Sequence, residues 1–499
     1  MTMDSGVEKS PLSVLGAAER QEDSRLGSRV WVESKKIWRV AFPAMLSKVV
    51  FFGFFVVTQA FIGHIGKTEL AAYALIQIIG VRFADEIILG ISSATETLSG
   101  QAFGAKQYHM LGIYLQRSWI INLVTATILV PIFSFTAAIF KLLGEDDSIT
   151  DSAGYIAHWF IPMLYYFVFI FTIQQFLQCQ LKTIIIAWLS SISFVLHMFL
   201  SWLFVIVLNW GIPGAMSAMI VASWLTVIGE FVYIFGGWCS DTWKGFTVAA
   251  FADLWPVIKL SVSSGVMLCL EIWYTAVLVL LASYMKNASV TISAFSICLN
   301  ISAWGFMIFL GFFNGASVRV SNELGRGNAK AAQFSIKVIL STSISVGVVF
   351  WILCLVFGRQ ISYILTSEED AAEEVASLSV LLAFSILLNS VQPVLSGVAV
   401  GAGRQSMVAW VNIGCYYVIG VPLGVVLGYT ANLQVRGIWI GMTIGIAMRI
   451  LVLGFITYRT NWNEQVLKAS ERLNRWFQHD AEDGTNISES HGRLEDNNA

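Results

Sequence analysis

Charge is what this chain most lacks. Only 12% of its 499 residues are Asp, Glu, Lys or Arg, against about a quarter in a soluble globular protein. Water is therefore not the solvent around most of it. The 30 basic and 32 acidic residues leave a net charge of −2, which argues against a nucleic-acid partner and against a polybasic membrane-surface protein. Cysteine is sparse and unpatterned. Cys179, Cys239, Cys269, Cys298, Cys354 and Cys415 are scattered, mostly in apolar runs, without a CxxC. That excludes a disulfide framework and a zinc site, and no metal is expected. No GxxxxGK[ST] loop occurs, so nucleotide-driven pumping by this chain alone is disfavoured. No HExxH or nucleophile–base arrangement points to an enzyme, and no cofactor is implied. The first 38 residues are polar and the first apolar run is too long for a signal h-region, which argues against a cleaved leader.

What is present is apolar length. Twelve runs stand out: 39–63, 70–99, 112–140, 154–179, 184–209, 214–238, 257–284, 290–317, 333–357, 375–401, 407–428 and 436–458. A bilayer-crossing helix needs about 20 such residues. The runs are too continuous for membrane strands, which alternate over about ten, and helices satisfy their own backbone in lipid. The expected fold is an all-α polytopic membrane protein of twelve transmembrane helices. Arg29, Lys35, Lys36 and Arg39 crowd the start of the first span, and Lys106, Lys182, Lys244, Arg319, Arg326, Lys330 and Arg404 fall on the same side. Positive residues favour the cytosol, so both termini are expected there.

The chain repeats with a period near 220. Gly100-Gln-Ala-Phe-Gly104 ends the second span and Ser321-Asn-Glu-Leu-Gly325 ends the eighth; Gln175 matches Gln392, and Gly214 matches Gly437. The third and ninth loops are both acidic, Glu145-Asp-Asp147 and Glu368-Glu-Asp370. An even number of helices per copy gives two parallel six-helix lobes, related by a pseudo-two-fold along the membrane normal. The expected division is an N-terminal tail 1–38, an N-lobe 39–238, a cytosolic linker 239–256, a C-lobe 257–458 and a C-terminal tail 459–499. The last stretch, from about Asp480, reads as disordered, and 463–479 as a short amphipathic helix on the membrane. Two lobes around a cleft suit alternating access. Pro43, Pro131, Pro162, Pro393 and Pro422 lie within spans and can bend them; Pro43 and Pro393 are the hinge candidates.

Polar side chains inside spans are the candidate site. Glu271 lies near the middle of the seventh, in Val266-Met-Leu-Cys-Leu-Glu-Ile-Trp-Tyr274. An ionisable group at that depth costs about 2.5–3.5 kcal/mol on insertion scales, and reversible protonation is the leading reason to carry one. Trp273, Tyr274, Asn300, Trp304, Asn389 and Gln392 lie at similar depth on spans seven, eight and ten and are expected to line the same cavity; aromatic faces attract cations. In the N-lobe the candidates are Arg82, Asp85, Glu86, Gln174, Gln175, Gln178 and His197. Helical spacing puts Arg82 beside both acids, so an internal ion pair is favoured there. His197 reads first as a packing residue. Lys48 and Glu230 lie at matching depth and either pair or leave Lys48 to snorkel; Arg449 is expected to snorkel. Glu96, Gln101 and Glu323, near cytosolic helix ends, are expected to cap, pair with Arg319 or Arg326, or gate. Asn287-Ala-Ser289 is a glycosylation sequon on the far side.

Ser93-Ala-Thr-Glu-Thr-Leu-Ser-Gly-Gln-Ala-Phe-Gly-Ala105 with Leu111-Gly-Ile-Tyr-Leu-Gln-Arg-Ser-Trp119 resembles the plant multidrug and toxic compound extrusion (MATE) transporters. So do Ser317-Val-Arg-Val-Ser-Asn-Glu-Leu-Gly325, Leu395-Ser-Gly-Val-Ala-Val-Gly-Ala-Gly403 and Gly420-Val-Pro-Leu-Gly424. The resemblance runs from about 35 to 460. It implies export of small organic compounds driven by inward proton or sodium flow; plant members are thought to use protons, at the vacuolar or plasma membrane. Glu271 matches the family's seventh-helix carboxylate, to which the proton- and cation-binding role is usually given. Ala276 stands where many relatives carry a second acid, and Asn389 where many carry Asp. The protein is thus expected to be a monomeric proton-coupled antiporter in a lipid bilayer for xenobiotics or secondary metabolites such as flavonoids or alkaloids. The alternative is a channel-like or voltage-driven anion transporter of the same family.

Overall fold

Among the described residues, the apolar runs become helix in the computed structural model. The structure describes residues 11–142, 144–252, 254–283, 289–365 and 369–474. Asn287 of the sequon, Glu368 of the ninth loop and the chain end from Asp480 lie outside these residues.

The helical rods are, in chain order, α1 (Pro11–Gly63), α2 (Lys67–Ile76, a wide π-type turn Gln77–Val81, then Arg82–Gly104), α3 (Tyr108–Ser134, bending into Thr136–Leu142) and α4 (Asp147–Cys179). They continue as α5 (Thr183–Val207) and α6 (Gly211–Trp238). The second set is α7 (Leu254–Ser283), α8 (Ser289–Gly325), α9 (Ala329–Leu365), α10 (Glu369–Asn389 and Gln392–Gly401), α11 (Gln405–Thr430) and α12 (Gln434–Arg459). A further helix, α13, covers 462–474. Among the described residues, eleven helices are long and apolar enough to cross a membrane; α2, interrupted by Arg82, Asp85 and Glu86, is the remaining rod. The first helix runs from Pro11, the first described residue, through the apolar run at 39 and past Pro43 to Gly63.

The two largest hydrophobic cores divide the rods. One joins α1–α6 through residues such as Phe54, Phe160, Phe167 and Met219. The other joins the second set through Phe295, Phe309, Leu378 and Trp439, and also takes Ile37 and Ala41 from the start of α1. Between the lobes, α1 packs on α8 and α2 on α7, while α2 and α8 meet each other. Exchanging the lobes turns the first of these contacts into the second, as a two-fold axis requires. The closest approach lies on the side where both chain ends emerge, here called the tail side. A methyl group at Gly104 would overlap the Asn322 carbonyl, and one at Gly325 would overlap the Gln101 carbonyl. The two glycines paired by the sequence repeat thus each let one lobe touch the backbone of the other.

The linker after α6 is held along α3. The Thr247 amide donates to Gln116 Oε1 at 2.9 Å, and Arg117 Nη2 donates to the Ala249 carbonyl at 3.0 Å. The break in α10 has a local cause. Pro393 has no N–H for the Asn389 carbonyl, and the Ser390 carbonyl instead accepts from Ser343 Oγ at 2.6 Å. A new helix starts at Gln392 with Pro393 in its first turn.

Candidate functional site

A cavity of about 100 Å³ lies between the lobes, above the α2–α8 closure. Both lobes supply its polar lining: Lys48, Glu86, Glu96, Gln174, Gln175 and Gln178 from one, Glu271, Asn314 and Ser396 from the other. Glu271 is there because its helix α7 packs on α2 across the interface.

Glu271 is not alone. Arg449 of α12 donates from Nη2 to Glu271 Oε2 at 3.0 Å, and Gln392 Nε2 donates to Glu271 Oε1. Arg449 also donates to Tyr416 Oη at 3.0 Å and to Ser396 Oγ at 2.9 Å. Its side chain is 0% exposed, while that of Glu271 is 16% exposed. The expectation that Arg449 snorkels is therefore wrong. It lies roughly ten residues, about 15 Å, from the end of its helix, and the paired carboxylate offsets its desolvation. Sequence reasoning gave Arg449 another role and named none of Tyr416, Ser396 and Asn314 for the site. The signal was available for Arg449, a charge inside an apolar helix like Glu271 itself.

The other candidates separate. Trp273 stacks on Phe83 across the α7–α2 seam, with centroids 5.9 Å apart. Trp304 meets Phe52 edge-on across the α8–α1 seam at 4.8 Å. Both tryptophans are half-exposed and flank the cavity rather than line it. Tyr274 is a correction: it is buried, stacked on Tyr416 at 4.1 Å and donating to the Met442 carbonyl at 3.1 Å. Helices α11 and α12 cover that face of α7. Asn300 is exposed on α8, and Asn389 Nδ2 donates to Ser302 Oγ at 3.3 Å; neither lines the cavity. Pro393 lines it at the α10 break, whereas Pro43 sits buried inside a continuous α1.

In the N-lobe, Gln175 and Gln178 line the cavity as expected. Gln174 lines it too, and donates to Glu230 Oε1 at 3.4 Å, so Glu230 does not take Lys48. Lys48 extends over the Phe171 ring, 5.3 Å from its centroid. Arg82, Asp85 and Glu86 share an adjoining space of about 60 Å³ with Lys48. The favoured internal ion pair does not form: among the described residues Arg82 makes no salt bridge, and its guanidinium lies 5.8 Å from the Phe52 ring. His197 is outside the cavity. It is buried against Phe54 at 4.8 Å and hydrogen-bonded to Thr58 at 3.1 Å and Ser201 at 3.4 Å, which makes it a packing residue. Glu96 lines the cavity rather than capping a helix end. Glu323 does pair with Arg319 and Arg326, at 2.8 and 3.2 Å.

Two like-oriented six-helix lobes closing on a polar cavity make this a multi-pass membrane protein with the architecture of a carrier. The comparisons with known proteins identify which kind. The MatE family profile matches residues 43–203 and 264–426, two segments that begin 221 residues apart. Protein DETOXIFICATION 22 of Arabidopsis thaliana is 52% identical over 94% of this chain and 95% of its own length. Protein DETOXIFICATION 20 of the same plant is 52% identical over 94% and 96%. The crystal structure of the eukaryotic MATE transporter AtDTX14 superposes with a TM-score of 0.82 at 30% identity, covering 89% of this chain and 99% of that one. An outward-facing multidrug resistance MATE transporter, 16% identical, shares the fold with a TM-score of 0.77 over 89% of this chain and 96% of its own. The chain belongs to the MATE family of efflux transporters.

Proposed function

We propose that this protein exports organic compounds, xenobiotics or secondary metabolites such as flavonoids or alkaloids, from the cytosol in exchange for protons. It would do so by alternating access in the vacuolar or plasma membrane, as a monomer with its tail side in the cytosol. One observation carries this reading: Glu271 reaches the inter-lobe cavity while held by Arg449 and by Gln392, the residue that opens the second half of α10. Ionised, the carboxylate satisfies both. Protonated, it gives up the charge that compensates Arg449, and the cost of a buried unpaired cation favours rearrangement. The rearrangement acts on a helix already broken at Pro393. The far end of that half-helix carries the tail-side closure. The Val400 carbonyl accepts from Thr97 Oγ1 at 2.7 Å, and the Gly401 carbonyl accepts from Gln101 Nε2 at 3.1 Å. Ten residues, Gln392–Gly401, thus join the proton site to the gate. Cargo occupies the cavity in one gate position and the proton occupies Glu271 in the other.

The test is substrate uptake by proteoliposomes under an imposed pH gradient, across alkaloids, flavonoid glycosides and organic cations. Gradient-driven uptake by wild type and its loss in Glu271→Gln are expected; full gradient-driven transport by the variant overturns the assignment. A channel-like anion path is the second reading, favoured by Lys48 and Arg82 in adjoining spaces of the cleft. That path follows voltage and ignores the pH gradient.

A further inference from the structure

A larger cavity, about 440 Å³, opens on the tail side, away from the inter-lobe site. Three segments meet there: the end of α12, the turn after α10 and helix α13. Four cations line it, Arg404, Arg459, Lys468 and Arg472, against one acid. That acid, Glu464, is already engaged by Lys468 at 2.6 Å. Arg404 is fixed by donating from Nη1 to Thr460 Oγ1 at 2.6 Å. Arg472 spans the lobes. Its Nη1 donates to the Ala402 carbonyl at 3.1 Å and to Gln101 Oε1 at 3.4 Å, and its Nη2 to the Gly403 carbonyl at 3.4 Å. Helix α13 is wedged over the same seam. Trp462 and Ala469 bury in the C-lobe core and Leu473 in an N-lobe cluster.

Guanidinium forks held by backbone and hydroxyl groups suit tetrahedral oxyanions with several acceptor oxygens. A basic pocket between helix ends at a membrane's cytoplasmic boundary fits a phosphorylated headgroup. Phe455, which lines the pocket, and Tyr458 beside it are 62% and 87% exposed at the end of α12. We propose that this pocket binds a multiply charged phosphate group, and that the bound anion clamps α13 across the tail-side gate and biases the lobes toward the closed arrangement. The phosphate comes either from a lipid headgroup or from a soluble phosphate compound.

The full chain in phosphatidylcholine nanodiscs provides the test, titrated with phosphatidylinositol 4-phosphate, with phosphatidylserine at matched charge, and with inorganic pyrophosphate. Saturable binding of a phosphate probe is expected, weakened at least tenfold in Arg404→Gln and in Arg459→Gln; the latter side chain is exposed, lying over the exposed Phe455 ring, and its loss leaves the buried core untouched. Binding of phosphatidylinositol 4-phosphate without competition from pyrophosphate assigns the site to a lipid; saturation by pyrophosphate alone assigns it to a soluble ligand. The proposal falls if neither saturates, if phosphatidylserine binds equally well, or if Arg404→Gln and Arg459→Gln bind like wild type. Binding is read with no substrate and no pH gradient, so the outcome does not depend on proton coupling.

Discussion

Gln101 and Asn322 make the same bond in opposite directions. Gln101 Nε2 donates to the Gly401 carbonyl of the C-lobe at 3.1 Å, and Asn322 Nδ2 donates to the Cys179 carbonyl of the N-lobe at 3.2 Å. Each amide reaches the end of the fourth helix of the other lobe, α10 in one case and α4 in the other. The tail-side seam therefore carries a matched pair of amide bonds, beside a salt bridge from Glu33 of α1 to Arg319 of α8 at 2.8 Å. If the proposed alternating access operates, both amide bonds break when the cavity faces the tail side.

Breaking both amide bonds should shift the gate measurably. A buried hydrogen bond is worth about 0.5–1.5 kcal/mol net, so Gln101→Ala with Asn322→Ala should raise the open population about tenfold. Thiol labelling of a cysteine placed at Ser93, in the cavity lining, reads this from the tail side. Unchanged labelling would remove the amides from the gate.

Bulk at the seam should have the same effect by another route. In Gly325→Val the side chain would have to displace the Gln101 backbone. The lobes should stay apart on the tail side, with Ser93→Cys labelling high and transport lost while the protein still reaches the membrane. Wild-type transport in this variant would show that the glycine contact is not needed for closure.

The buried ion pair should be strongly non-additive. Removing one partner of such a pair costs about 3–5 kcal/mol, because the other is left uncompensated. Arg449→Leu and Glu271→Gln should each lower the unfolding temperature of the detergent-solubilised protein. The double variant should recover part of the loss, with a coupling energy of about 1–3 kcal/mol. Simple additivity would mean the two side chains do not hold each other.

His197 should be dispensable for coupling. It lies against Phe54 and Thr58, outside the cavity. His197→Gln should leave the pH dependence of uptake unchanged while lowering thermal stability by about 1 kcal/mol, the worth of a lost buried hydrogen bond. A shifted pH profile would place this residue on the proton path.

Much of the site was legible and some was not, for identifiable reasons. Glu271 stands out because a carboxylate in an apolar run has no cheap explanation. Arg449 carries the same signal, but snorkelling and pairing cannot be told apart without knowing which way α12 is turned. Tyr274 follows Glu271 by three positions, and only the packing of α11 and α12 buries it. Arg82 has the right spacing to meet Asp85 and Glu86, yet its side chain reaches toward Phe52 on α1. Helical spacing states what can meet; neighbouring helices decide what does. The Gly104–Gly325 correspondence was visible as a repeat, but not that each glycine admits the backbone of the opposite lobe.

Composition and apolar run length alone determined that the chain crosses a membrane many times as helices, since lipid leaves the backbone no other way to satisfy its polar groups. The internal repeat set two similar bundles of like orientation. Tertiary structure decided which intramembrane charges are partners. Desolvation demands that Glu271 and Arg449 be compensated, but they are 178 residues apart, and only the packing of α7, α10 and α12 brings them within a hydrogen bond.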